Sequence, residues 1–146
     1  MRIAFGTDEG TSLTQSLLEM LREKGHEVAV LADGSPWPEV GKTVGEAVAR
    51  GLADRGIVCC WTGTGVSIAA NKVQGIRAAL CVDAETARGA RRWNDANVLA
   101  LSLRLTSEAV ASEILEAFLE TAPDAAEKDN ILSLEGTDPA QGEVQD

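Results

Sequence analysis

Short apolar segments rich in Val, Ile and Leu alternate along the chain with segments of helical periodicity, and this alternation restricts the fold more than any other feature. The five apolar segments are residues 2–5, 27–31, 56–60, 76–82 and 97–101. Runs of this length are typical of strands buried on both faces. Right-handed connections between them give a parallel sheet with helices on both sides. We therefore predict an α/β fold of three layers around a five-stranded parallel sheet.

The segments between the predicted strands have the spacing of amphipathic helices. Four leucines recur with this spacing before Gly25, and a second helix is predicted over residues 40–48. A third helix is predicted from about Val66, a fourth over about residues 84–92, and a fifth after a cap at Ser107. The carboxyl ends of parallel strands meet at one edge of the sheet, where ligands bind. We expect the functional site at that edge.

The length of 146 residues fits one domain. We predict that this domain covers residues 1–121 and that residues 122–146 form an acidic segment, disordered from about residue 136. No run of 18 apolar residues and no signal-like start is present, so we expect a cytoplasmic protein without a membrane partner. The chain lacks a basic stripe, which argues against binding to nucleic acid.

The cysteine and histidine content argues against a metal site. The chain has three cysteines, two of them adjacent, and we expect them to be reduced. The single histidine, His26, follows Gly25 at a helix-to-strand turn, where a surface or capping role is expected. Zinc sites need several converging nitrogen or sulfur ligands, so we predict no structural metal.

The sequence CCWTGTGVSIAANK at residues 59–72 joins the third predicted strand to the third helix. At such a junction, backbone N–H groups and the partial charge of the helix N-terminus favour an anion. Gly63 and Gly65 would allow close approach. Hydroxyl donors are added by Thr62, Thr64 and Ser67. A G-x-G pair alone is equally compatible with an ordinary tight turn, so both interpretations stay open.

Cys60 is the last residue of the third predicted strand and is the better candidate for chemistry among the cysteines. A thiol near a helix N-terminus is stabilised as thiolate and becomes a usable base or nucleophile. Cys59 faces the other side because strand residues alternate. Cysteine is also common in cores as a small hydrophobe, which is the interpretation favoured for Cys81.

The motifs GTGVSIAANK, GIRAALC and NDANVLAL, together with RIAFGTDEG at the start, resemble the ribose-5-phosphate isomerase B and galactose-6-phosphate isomerase family. The likeness covers residues 1 to about 120. It implies a flavodoxin-like (Rossmann-like) sandwich that forms a homodimer, with each active site built from both subunits, and it leaves open whether two dimers pair into a tetramer. It also implies aldose–ketose isomerisation of a sugar phosphate through an enediol, without metal or cofactor.

The resemblance also implies roles for individual residues. Cys60 matches the cysteine that serves as base in many members of the family, and Thr62 follows it as a catalytic position. Asn94 matches an asparagine that contacts the sugar, and Asp8 matches the acid of an N-terminal Asp-His pair. An anion hole is implied for the backbone of residues 62–65 with Ser67, which makes substrate ligands of Gly63, Thr64, Gly65 and Ser67.

Several positions depart from the family pattern. Glu9 stands where the pair has histidine, Trp93 where the family has its ring-opening histidine, and Trp61 where glycine is usual. We keep Glu9 and Trp93 as substrate-binding candidates. The C-terminal GGRH segment, whose arginines help to hold phosphate, is absent. The remaining candidate cations are Arg88, Arg91, Arg92 and Arg104, of which Arg88 and Arg92 are better explained as solvated surface.

These departures lead to three hypotheses. The leading one is an isomerase with altered specificity, acting on a short, mostly open-chain sugar phosphate or on a sugar with less or no phosphate, because Trp93 cannot transfer protons. In the second, the chain is one subunit of a hetero-oligomeric isomerase. In the third, it is a non-catalytic sugar-binding or regulatory protein. Trp37 is either a pocket wall or a loop-packing residue.

Overall fold

The computed structural model describes residues 1–136. The strands are β1 (Arg2–Thr7), β2 (Glu27–Asp33), β3 (Arg55–Cys60), β4 (Ala78–Leu80) and β5 (Val98–Ser102). The helices are α1 (Ser12–Glu23), α2 (Trp37–Ala49), α3 (Thr64–Asn71), α4 (Ala84–Asn94), α5 (Glu108–Glu120) and α6 (Lys128–Ser133), with a 3-10 turn at Ala125–Glu127 before α6.

The five strands form one parallel sheet in the order β2-β1-β3-β5-β4. Helices α1, α4 and α5 cover one face, and α2 and α3 cover the other. This arrangement confirms the predicted three-layer α/β fold. Because all strands run in the same direction, their carboxyl ends form a single edge, called here the carboxyl edge, and the opposite edge is called the amino edge.

Side-chain caps fix where several helices begin. The Thr11 hydroxyl accepts the N–H of Thr14 at the start of α1, and Asp83 and Ser107 cap α4 and α5 in the same manner. Ser107 is thus the cap predicted from the sequence. The apolar faces of these helices pack against the buried side chains of the strands, which accounts for the helical spacing of the leucines in α1.

The prediction that every strand is buried on both faces is wrong for β2. This strand lies at one end of the sheet, and its Val30 and Leu31 are each 41% exposed. At the other end, β4 spans only Ala78–Leu80 of the predicted 76–82, and its residues are half-buried. The inner strands β3 and β5 do follow the prediction, since β5 is buried throughout.

The segment after α5 packs back onto the domain at the amino edge. The N–H of Asp124 donates to the carbonyl of Arg92, and Arg77 pairs with Glu135. The disorder predicted from about residue 136 falls almost wholly outside the described residues. None of the helices in residues 1–136 has both the length and the hydropathy that are needed to cross a membrane.

Candidate active site

The turn between β3 and α3 is built around Gly63. Its φ of +77° lies in the left-handed region, and it directly precedes the first turn of α3. A Cβ at this position would lie 2.5 Å from Leu80 Cδ1, 2.9 Å from the Leu101 carbonyl carbon and 3.0 Å from the Ser102 nitrogen. Glycine is therefore required both by the backbone conformation and by the close approach of β5.

Replacing Gly63 with alanine is expected to destabilise the protein by about 3 kcal/mol or more, since strain and backbone overlap act together. Gly75→Ala is the matched control: its φ is +83°, yet a Cβ there meets no atom within 4 Å. Strain alone should then cost about 1–2 kcal/mol. Denaturant unfolding measures both variants, and equal losses would show that the contacts with β5 do not matter.

The first turn of α3 presents unoccupied backbone donors. No side chain caps this helix, while the N–H of Ser67 is already bonded to the Gly63 carbonyl at 3.3 Å. The hydroxyls of Thr62 and Thr64 lie 2.8 Å apart beside the turn. Because the dipole of the helix adds positive potential here, the turn has the donors and the field that an anion requires.

The two adjacent cysteines face opposite layers. Cys60 ends β3 on the side of α2 and α3 and is 4% exposed, whereas Cys59 is fully buried on the side of α1 and α5. Burial, the neighbouring Cys60 and Asp8 together raise the pKa of the Cys59 thiol. Burial and Asp83 raise the pKa of Cys81 to about 12. Cys59 and Cys81 therefore stay protonated at neutral pH, which suits core residues.

Asp8 follows β1 at the carboxyl edge and sits next to β3. Its N–H donates to the Cys59 carbonyl at 3.2 Å, and its Oδ1 is buried without a hydrogen-bond partner among the described residues. Burial, and then the charge of Glu9, raise the pKa of the Asp8 carboxyl. Glu9 itself is exposed. Buried carboxyl oxygens are nearly always hydrogen-bonded, so the unpartnered oxygen of Asp8 is an unusual feature of this edge.

The turn after β5 borders the same edge. The buried Ser102 hydroxyl donates to the Trp61 carbonyl at 2.9 Å, and the Arg104 N–H donates to the same oxygen at 3.1 Å. These bonds bring the exposed Arg104 and the indole of Trp61, which is 58% exposed, to the carboxyl edge. Ser102 was not singled out from the sequence, because its contact follows only from the pairing of β3 with β5.

Trp37 begins α2 and packs against the glycine turn. A Cβ on Gly65 would lie 2.8 Å from Trp37 Cδ2, so the indole covers the backbone of the first turn of α3. The rest of the ring is open to solvent, with 45% of the residue exposed. Trp37 thus packs against the turn, as the loop-packing interpretation expects, and its role as a pocket wall stays a prediction.

Two of the predicted substrate ligands, Trp93 and Asn94, lie elsewhere in the same chain. They end α4, which runs from the carboxyl edge back to the amino edge ahead of β5. The Trp93 ring folds back along the helix, where a Cβ on Gly89 would lie 2.7 Å from its Cζ3. Asn94 is exposed beside a cavity of about 390 Å³ lined by residues of the α3–β4 connection. A single chain therefore does not bring them to Cys60.

Arg91 is a structural residue, which corrects its place among the candidate phosphate ligands. It is 1% exposed, and its guanidinium bonds Asp95 Oδ1 at 2.8 Å and the carbonyls of Ala96 and Thr121 at 2.6 and 3.1 Å. The sequence did not indicate this role, because α4 contains three arginines and the helical pattern does not show which of them is buried. Arg88 pairs with Glu85 on the surface of α4.

Known proteins resemble this chain in both sequence and fold. A family model described as Ribose/Galactose Isomerase matches residues 3–133. The galactose-6-phosphate isomerase subunit LacB of Clostridium acetobutylicum is 39% identical over 94% of this chain and 82% of its own length. D-erythrulose-4-phosphate isomerase of Pectobacterium atrosepticum is 37% identical over 82% of this chain and 83% of its own.

Among solved structures, ribose-5-phosphate isomerase B of Clostridium thermocellum superposes with a TM-score of 0.85 at 38% identity. The superposition covers 92% of this chain and 95% of the other. The match extends through both the glycine turn at the carboxyl edge and the end of α4. The chain belongs to the ribose/galactose isomerase family.

Proposed function

We propose that the protein is an aldose–ketose isomerase that acts on a sugar phosphate through an enediol intermediate. The observation that carries this proposal is the position of Cys60, which ends β3 immediately before a glycine turn and an uncapped helix N-terminus. The reaction needs a base that accepts a proton and a set of N–H or O–H groups that donate hydrogen bonds to the oxyanion. The relatives are named as isomerases of a four-carbon and of a five-carbon sugar phosphate, which supports the same reaction type.

In this mechanism Cys60 acts as a thiolate and takes the proton from C2 of the aldose. The C2–H bond breaks, an S–H bond forms, and the electron pair makes the C1–C2 double bond while O1 becomes an enediolate oxygen. A proton then passes from O2 to O1, and Cys60 returns its proton to C1 as the C2 carbonyl forms. One hydrogen moves from C2 to C1, so the step uses no oxidant, reductant or cofactor.

The surrounding residues stabilise this intermediate. The free N–H groups of Thr64 and Gly65 are placed to donate to the enediolate oxygen, and the paired hydroxyls of Thr62 and Thr64 lie beside them. Asp8, at the same edge, is the proposed acceptor of a substrate hydroxyl. Arg104, exposed at the same edge, is the proposed partner of the phosphate.

The site is completed by a second copy of the chain. Asn94 lies at the amino edge and Cys60 at the carboxyl edge, separated by the length of β5 and of α4. Both belong to segments that match the family, so we propose a homodimer in which α4 of one copy brings Asn94 to the glycine turn of the other. Each dimer of this kind has two equivalent active sites.

Mixing two inactive variants tests the reaction and the shared site together. Cys60→Ala and Asn94→Ala are each expected to be inactive alone. When the two chains are co-expressed in equal amounts, about half of the dimers are mixed, and each mixed dimer has one site with both residues, so about a quarter of the wild-type activity should return. Ketose formation is the readout, and a mixture that stays inactive would contradict a shared site.

A second candidate, one subunit of an isomerase made of unlike chains, is favoured by one observation. The relative from Clostridium acetobutylicum is named as a subunit of its enzyme, and this chain has no histidine besides His26 to contribute to a site. Turnover by the purified chain alone separates the two candidates, because a chain that forms only half of a site would show no isomerase activity until its partner subunit is added.

A further inference from the structure

Aldose phosphates of five or more carbons exist mainly as closed rings, and an enediol mechanism requires the open chain. Ring opening needs one group that donates a proton to the ring oxygen and another that takes the proton of the anomeric hydroxyl. Imidazole is the side chain best suited to this exchange near neutral pH, because it is the one whose ordinary pKa lies there.

The chain's imidazole lies away from both halves of the proposed site. The sole histidine, His26, precedes β2 at the amino edge, where its Nδ1 lies 3.1 Å from the N-terminal amine. In the partner copy, Asn94 is also at the amino edge but ahead of β5. Since β2 and β5 are separated by β1 and β3, their amino ends are three strand spacings apart, roughly 14 Å.

The other titratable side chains at the carboxyl edge are poorly suited to the exchange. Asp83 is held as the cap of α4 by the Thr86 N–H, which keeps the pKa of its carboxyl low. The carboxyl groups of Glu9 and Asp33 also lie at this edge, but both residues are exposed and no structural feature within residues 1–136 directs them toward the glycine turn. Asp8 is the one with a buried oxygen and is therefore included in the test.

Resting on the proposed function, we propose that the natural substrate is a sugar phosphate that cannot close a ring, namely a four-carbon aldose or ketose esterified at its terminal hydroxyl. In a tetrose 4-phosphate the hydroxyl that would form a five-membered ring carries the phosphate, so the substrate is already an open chain. The residues present then suffice, because Cys60, the glycine turn and Asp8 have only the enediol steps to perform.

The test compares D-erythrose 4-phosphate, D-ribose 5-phosphate and the 4-deoxy analogue of ribose 5-phosphate. The analogue keeps five carbons but lacks the hydroxyl that closes the ring, so it separates chain length from ring opening. Ketose formation is followed at rising concentrations of the purified full chain. For the two open-chain substrates the rate should stay proportional to enzyme, with kcat/KM about 100-fold above that for ribose 5-phosphate.

For ribose 5-phosphate the rate should level off at the rate of spontaneous ring opening, or be absent. A rate that remains proportional to enzyme and matches that of the 4-deoxy analogue would overturn the inference while leaving the isomerase function intact. In that event, selective loss of ribose 5-phosphate turnover in Asp8→Asn would assign ring opening to that carboxyl. If the folded, dimeric protein converts none of the three substrates, the proposed function is wrong and the inference is wrong with it.

Discussion

Replacing Cys60 with alanine is expected to lower kcat by about 10²–10⁴-fold, because proton transfer by a positioned side chain contributes that much to the rate. Cys60 ends β3 beside the glycine turn and is 4% exposed, and the substitution removes only its sulfur atom from the edge of the core. The fold should remain, and the loss should fall on kcat more than on KM. Turnover of a sugar phosphate and exchange of the C2 hydrogen with deuterated water both measure this effect.

Cys59→Ala is the matched control for this experiment. It removes the same atoms from the next residue, but its side chain lies in the layer of α1 and α5 and its raised pKa keeps the thiol protonated. We expect wild-type kcat with a modest loss of stability from the cavity. A Cys60→Ala enzyme that retains full turnover would remove Cys60 from the mechanism, and a Cys59→Ala enzyme that loses it would place the base on the other face of the sheet.

The layers of this fold follow from the sequence because strand and helix periodicities differ and alternate without interruption. The inner strands β3 and β5 show the apolar runs of doubly covered strands, so their number, direction and edge were predictable. The position of β2 was not, because an apolar strand such as EVAVLAD reads the same at the end of a sheet as in its centre. Strand order is decided by long-range packing that no local pattern records.

The candidate site, like the fold, could be predicted from the sequence only in part. The glycine turn was predictable because Gly63 and Gly65 occur together at a strand-to-helix junction. The placement of Asn94 at the opposite edge depends on the direction of α4 relative to the sheet, and it separates Asn94 from Cys60 within one chain. The unpartnered oxygen of Asp8 and the role of Ser102 depend on the register between strands, which sequence alone does not supply.

Arg91→Ala is expected to destabilise the protein by about 3–5 kcal/mol, the usual result of removing one partner of a buried ion pair. The guanidinium fills the space between the end of α4 and α5, with its carbon 5.8 Å from the centre of the Phe118 ring, and it bonds Asp95 and two carbonyls. Asp95 is a non-glycine residue with φ of +45°, a conformation that needs such support.

Arg92→Ala supplies the comparison, since this neighbour has the same chemistry but an exposed side chain, and its stability should change by no more than about 0.5 kcal/mol. Denaturant unfolding at one protein concentration measures both variants. Because Asn94 is the residue before Asp95, the Arg91 variant should also lose turnover through a raised KM at temperatures where it is still folded. Equal stabilities of the two variants would show that Arg91 is an ordinary surface cation, and its bonds to Asp95 would then no longer explain how the end of α4 is held in place.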